Sequence, residues 1–159
     1  MATKKDMINE IVKITNSDPN LAARTREEVA WSLRNDNYIF SFDKKSKDVC
    51  GWIEIFELNK KWCGLFSLFV YPKFRNRGTG MDLLRKAILH TKNHHVYGAT
   101  SNKSIKKVLL QSGFKKISIY KLPLDLIVSL LFKRYGNIFR IILERKKRNE
   151  EFHFYIRTV

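Results

Sequence analysis

The sequence predicts an α/β (α+β) fold, with a mixed, mostly antiparallel central sheet and helices on both of its faces. Three observations predict it. Between Tyr38 and Tyr71 lie three consecutive runs rich in aromatic and β-branched residues, separated by polar turns. The last two runs are apolar on both faces, which requires helices over each side of the sheet. On either side of this block the apolar spacing changes to three and four residues, the period of amphipathic helices.

Taken in order, Lys5–Asn16 places Met7, Ile8, Ile11, Val12 and Ile14 at helical spacing, and Asn16-Ser-Asp-Pro-Asn breaks it. Thr25-Arg-Glu-Glu28 is a capping-box pattern that opens a second helix running to about Arg34. Strands are predicted at Tyr38–Phe42, Val49–Leu58 and Trp62–Tyr71, forming an antiparallel meander. Gly78–Lys92 returns to the helical period through Leu83, Leu84, Ala87 and Ile88. His95–Thr100 reads as a short strand, Lys103–Gln111 as a basic amphipathic helix stopped by Gly113, and Phe114–Leu122 as an alternating strand ended by Pro123. An apolar, basic segment, Leu124–Glu144, with a candidate break at Gly136, leads to a final strand at Phe152–Val159.

No repeat or Gly/Ser linker divides the 159 residues, so one domain is expected over 1–159. It comprises N-terminal helices (1–37), a core (38–121) and a C-terminal helix and strand (122–159). The 44% hydrophobic content supplies a core and argues against disorder. Two cysteines exclude a disulfide-stapled scaffold and a cysteine-rich zinc site; Cys50 and Cys63 are out of register in the expected hairpin and read as core thiols. No N-terminal signal pattern and no bilayer-length apolar run is present, which leads to an expectation of a cytoplasmic protein without stable membrane insertion. The charge is strongly positive: 31 Lys+Arg against 15 Asp+Glu, a formal +16. Six lysines and no acid lie in Ser101–Lys121, and Lys133–Arg148 carries seven basic residues against Glu144 alone. Such a field attracts polyanions, whether nucleic acid, an anionic surface or a phosphorylated small molecule; a solvated basic face is the plainer reading.

The chemically informative segment is Val70-Tyr-Pro-Lys-Phe-Arg-Asn-Arg-Gly-Thr-Gly80, joining a buried strand to a helix. Gly78 and Gly80 remove Cβ atoms where a ligand would approach the backbone, and Arg75 and Arg77 add positive charge. A helix N-terminus behind a glycine turn is a receptor for phosphate. No Gly-Lys-Ser/Thr follows, so this is no Walker loop, and the second glycine pair of a dinucleotide fingerprint is missing.

With the preceding run Leu65-Phe-Ser-Leu-Phe-Val-Tyr-Pro72, the turn resembles motif A of the GNAT (GCN5-related N-acetyltransferase) superfamily, V-x-P-x-x-[RQ]-x-x-G-x-[GA]. Asn102, followed by Gly113-Phe114, resembles that superfamily's motif B. The resemblance implies a GNAT-like fold and an acetyl-CoA-dependent N-acetyltransferase, in which an amine acceptor attacks the thioester directly within a ternary complex. It implies that the pyrophosphate of acetyl-CoA lies on Asn76, Arg77, Gly78, Thr79 and Gly80, with Arg75 at the family's Arg/Gln position. The pantetheine would run beside Leu68 and Val70 and meet Asn102, and a backbone N–H near Phe69 and Val70 would polarise the thioester carbonyl. The strand at His95–Thr100 would splay from its neighbour to open the slot. The resemblance also makes a homodimer an open possibility.

The chain departs from the family at the frequent motif-B tyrosine, which is Leu109 here. The acid that meets the leaving thiolate is then absent, unnecessary or supplied elsewhere, with Tyr97 and Tyr120 as candidates. For the base, Glu54 and Glu57 are the carboxylates of the central strands; a solvent-facing role or a water relay are the alternatives. His90, His94 and His95 have no acidic neighbour in sequence, so no metal site is expected. Leu124–Leu143 suits a helix covering the sheet, with a membrane-surface or dimer contact as rivals. A second functional reading remains open: a catalytically weak or silent module of the same fold, binding nucleic acid or ribosomes through its basic surface.

Overall fold

The computed structural model describes residues 4–18, 21, 23–132 and 153–159. Helix α1 spans Lys4–Ser17 and α2 spans Arg26–Arg34, entered through the expected capping box: the Thr25 hydroxyl accepts from the Glu28 N–H, and the Glu28 carboxylate accepts from the Thr25 N–H. Strands β1 (Tyr38–Phe42), β2 (Val49–Glu57) and β3 (Trp62–Val70) form the antiparallel meander. A short 3-10 turn, Pro72–Phe74, leads into α3 (Thr79–His90), followed by β4 (His95–Thr100) and α4 (Lys103–Gln111).

The next strand is much shorter than its alternation suggests. β5 covers Lys115–Ile117 only, and Ile119–Lys121 form a 3-10 turn. The turn redirects the chain so that Leu122 is buried and helix α5, described over 124–132, lies across the sheet. Alternation alone could not reveal this, because tertiary packing of Leu122 outweighs the local strand preference. The last strand, β6, is His153–Arg157. The remainder of the apolar, basic segment, including the candidate break at Gly136, lies outside the described residues.

The six strands are ordered β1-β2-β3-β4-β6-β5, and every neighbouring pair is antiparallel except β3 with β4. Helices cover both faces. On one, α3 and α4 bring Leu83, Leu84, Ala87 and Leu109 against Ile53, Ile55, Leu65, Val96 and Tyr155. On the other, Ile11 of α1 and Val29 of α2 pack on Tyr38, Trp52 and Phe69, while Leu126 and Leu130 of α5 pack on Trp62, Tyr97 and Phe154. Trp52 and Ile53 are strand neighbours, so they face opposite layers. α5 therefore does what a sheet-covering helix should. Cys50 and Cys63 are both buried thiols.

Gly51 marks a close approach of two central strands. A Cβ there would fall 2.3 Å from the Phe69 carbonyl oxygen and 3.0 Å from the Val70 Cα, both backbone atoms that cannot rotate away. Gly51→Ala is expected to destabilise the fold by about 1–3 kcal/mol, as overpacking does. Gly64→Ala, where a Cβ meets only side-chain atoms of Phe66 and Leu58, should cost less. Denaturant titration of both variants checks this; equal losses would contradict it.

Candidate active site

Two features of β3 create the site. The first is a bulge: Trp52 opposes Phe69 while Glu54 opposes Phe66, so Ser67 and Leu68 together face Ile53. Ser67 has φ +51°, a left-handed conformation unusual for a non-glycine residue in a strand. The second is a fork. β3 pairs with β4 from Trp62–His95 to Leu65–Gly98, and pairing then stops. On its other edge β4 stays paired with β6, from Val96–Arg157 through Ala99–Phe154 and Thr100–His153. The bulge sits immediately beyond the fork.

Main-chain direction alternates along a strand. The Tyr71 N–H donates to the Cys50 carbonyl on β2 at 3.0 Å, so the main-chain groups of Val70 point the other way, into the fork. There the Arg75 Nε donates to the Val70 carbonyl at 3.0 Å, which occupies one group of this edge and leaves the Val70 N–H. Arg75 thus braces the strand against the turn.

The turn itself is built from left-handed backbone. Asn76 has φ +60° and Gly78 +83°. Gly78 is the N-cap of α3 and has no side chain with which to satisfy the orphan N–H groups of the first helical turn. A Cβ added at Gly78 would meet nothing within 4 Å, and one at Gly80 only Val70 Cγ2 at 3.8 Å. The glycines therefore leave open space in front of α3. Arg75, Asn76, Arg77 and Gly78 are exposed around it, and Thr79 is anchored by its hydroxyl to the Phe74 carbonyl at 3.1 Å. The donor-rich turn, positive side chains and open room suit a diphosphate. Leu68 and Val70 line the α3 side of the sheet next to it, while Phe69 is buried on the other face with Trp52.

Asn102 lies across the fork as the N-cap of α4, its Oδ1 accepting from the Ser104 and Ile105 N–H groups at 2.9 and 3.2 Å. Its carbonyl oxygen is committed to the helix, and its amide nitrogen is the group that can serve a ligand.

The four acid–base candidates are not brought together. Glu54 is 1% exposed, ion-paired with Arg24 and accepting from the Ser32 hydroxyl at 2.9 Å. Burial pushes its carboxyl above the usual range, with Arg24 and Ser32 pulling the other way. Its place opposite Phe66 puts it one residue from the bulge, beneath α2. Glu57 is exposed and opposes Cys63, about 13 Å along β3 from Ser67. Tyr97 is 2% exposed among the α5 core, and burial raises its phenol well above the ordinary value. Tyr120 is 94% exposed on the 3-10 turn. Leu109, at the position of the usual tyrosine, fills the core at 4% exposure. Two polar residues were missed from the sequence. Arg24 sits in a loop 30 positions from its partner and gives no local sign; Ser67 is the lone polar side chain in Leu65–Val70.

The fold and this site define an acyltransferase-type α/β domain. A family model described as Acetyltransferase (GNAT) family matches residues 5–114, and the chain belongs to that family. No curated protein sequence matches at a significant level. Among solved structures the chain is similar to Rv2747 from Mycobacterium tuberculosis, solved with CoA: TM-score 0.77, 11% identity, covering 100% of this chain and 98% of that one. It is also similar to a GNAT-family acetyltransferase from Staphylococcus aureus Mu50 (TM-score 0.66, 18% identity, 99% and 96% covered). A third is a phosphinothricin acetyltransferase from Sinorhizobium meliloti in complex with AcCoA (TM-score 0.59, 15% identity, 74% and 75% covered). At these identities the likeness is one of fold. Among the described residues no cluster of His, Cys, Asp and Glu could hold a metal, and no helix is long and apolar enough to cross a membrane.

The Arg24–Glu54 pair yields a prediction with a definite sign. In Arg24→Leu the carboxyl loses the cation that opposes its burial, so its folded pKa rises further above the unfolded value. The stability such a group contributes is complete below the unfolded pKa and is lost as pH rises through the folded one. The variant should lose about 3–5 kcal/mol near pH 8, the usual cost of leaving a buried charge unpaired, and less at pH 5. Denaturant titrations at both pH values check this; a penalty independent of pH would contradict it.

Proposed function

We propose that this chain is an acetyl-CoA-dependent N-acetyltransferase acting in the cytoplasm on an amine acceptor. The observation that carries the reading is the left-handed, side-chain-free N-cap of α3 facing open space beside a forked β3–β4 pair. Family membership makes acetyl transfer the expected chemistry, and several relatives in fold were solved with CoA or AcCoA.

In this reading the N–H groups of Asn76–Gly80 hold the pyrophosphate, with Arg77 and the exposed Lys73 supplying charge. The pantetheine lies in the fork as a surrogate strand, using the Val70 N–H, main-chain groups of Leu68 and the Asn102 amide nitrogen. Val70 O is already held by Arg75, so the strand-like pairing is one-sided there. The amine attacks the thioester carbon, the C–N bond forms, the C–S bond breaks, and the ammonium proton leaves through water. Glu54 lies opposite Phe66, one residue from the bulge, and its raised proton affinity suits a base; held by Arg24 and Ser32 at 1% exposure, it acts through water and not by contact. Glu57, Tyr97 and Tyr120 are too far from the fork, too deeply packed or too exposed for direct roles. With Leu109 in the core, CoA departs as thiolate, which is a good leaving group near its own pKa. The acceptor enters from the α1–α2 side, opposite α3.

The second reading, a silent module gripping nucleic acid, draws on the exposed Lys103, Lys107, Lys115 and Lys116. Turnover with a panel of amines, set beside the salt dependence of any RNA affinity, separates the two.

Gly78→Asp tests the site directly. Aspartate is among the residues that tolerate left-handed backbone, and a Cβ there meets no neighbour, so the fold should survive. Its carboxylate would occupy the anion site, and acetyl-CoA affinity by calorimetry should fall more than about tenfold, that is by over 1.4 kcal/mol. Unchanged affinity with an intact circular dichroism spectrum would remove the assignment.

A further inference from the structure

Ser67 carries two costs at one residue: a left-handed φ of +51°, and a buried hydroxyl oxygen without a hydrogen-bond partner. Either is uncommon in a strand interior, where left-handed backbone is disfavoured and buried polar groups are nearly always paired. Both fall at the first bulge residue past the last β3–β4 pair, Leu65–Gly98. Such strain, kept where a sheet opens, marks a position built for a ligand.

We propose that the Ser67 hydroxyl donates a hydrogen bond to the thioester carbonyl oxygen of bound acetyl-CoA, beside the backbone N–H of the same bulge, and stabilises the negative charge that develops there when the amine attacks. This rests on the acetyl-CoA reading above and adds to it a side-chain donor. The chemistry fits the residue: a serine hydroxyl is too weak an acid to protonate a thiolate at neutral pH, yet it is a good fixed dipole for an oxyanion. It also fits the neighbours. Leu109 and the packed Tyr97 offer no hydroxyl at the fork, whereas the hydroxyl of Ser67 has no competing partner among the described residues.

The test needs no knowledge of the acceptor. Acetyl-CoA labelled with 13C at the thioester carbonyl is bound to the wild type, to Ser67→Ala and to Ser67→Gly, and the carbonyl stretch is read by isotope-edited infrared spectroscopy, with CoA affinity measured by calorimetry. The expected result is a downshifted carbonyl stretch in the wild type that moves back toward its value in water in both variants, with CoA affinity within about twofold. For any amine that is turned over, kcat should fall about 10²–10³-fold in both variants with little change in KM for acetyl-CoA. Glycine suits φ +51°, so Ser67→Gly should melt no lower than the wild type, which separates lost catalysis from lost folding. An identical carbonyl stretch in all three proteins, with CoA bound, overturns the role of Ser67 alone. Failure of the wild type to bind CoA overturns this inference together with the reading on which it rests.

Discussion

Everything distinctive in this molecule follows from two central strands that run parallel for four residue pairs and then part. β4 parts from β3 after Gly98 while its other edge stays paired with β6 through Thr100. The released edge of β3 would be a costly row of unpaired main-chain groups in the middle of a sheet. A bulge at Ser67–Leu68 and a side-chain bond from Arg75 to the Val70 carbonyl partly settle it. What remains is a stretch of β3 unpaired with β4, with α3 packed over one face of the sheet and α1 and α2 over the other. A sheet continuous through this point would have a stronger core and no site.

The turn after β3 solves a second problem, how to aim a helix at that stretch. Left-handed residues at Asn76 and Gly78 reverse the chain within a few positions, and the missing cap leaves the first amides of α3 outward. The nearby cations are held loosely: Lys73 is paired with an exposed Asp48, and Arg77 rests over the Phe74 ring. Exposed charges of this kind contribute little to stability and much to the capture of an anion. The polar interior under α2 serves the opposite purpose. Arg24, Glu54 and Ser32 tie the α1–α2 connection to the sheet, next to the bulge.

The parts legible in the sequence are those decided locally. The Thr25–Glu28 capping box, the polar turns of the meander and the glycine-bearing turn each act within a few residues, so element order and the position of that turn could be read before any coordinates. β5 was overestimated because the burial of Leu122, which ends it, depends on α5 and the far sheet. Glu54 was recognised as an unusual central carboxylate, but its partner lies 30 positions away, and nothing in the spacing of an isolated Arg24 announces an ion pair. Ser67 was missed because a lone serine in an apolar run carries no local sign of the bulge that sets it apart. Acid–base roles are not legible locally, since they depend on which face each strand residue turns and how deeply that face is buried.

The central claim is that the first-turn amides of α3 grip a diphosphate. Backbone amide shifts, recorded while CoA is added to 15N-labelled protein, test it most directly. The account predicts the largest changes at Arg77, Gly78, Thr79 and Gly80, with a smaller set along Leu68–Val70. Perturbations centred on α4 and β5, with the α3 turn unmoved, would contradict it.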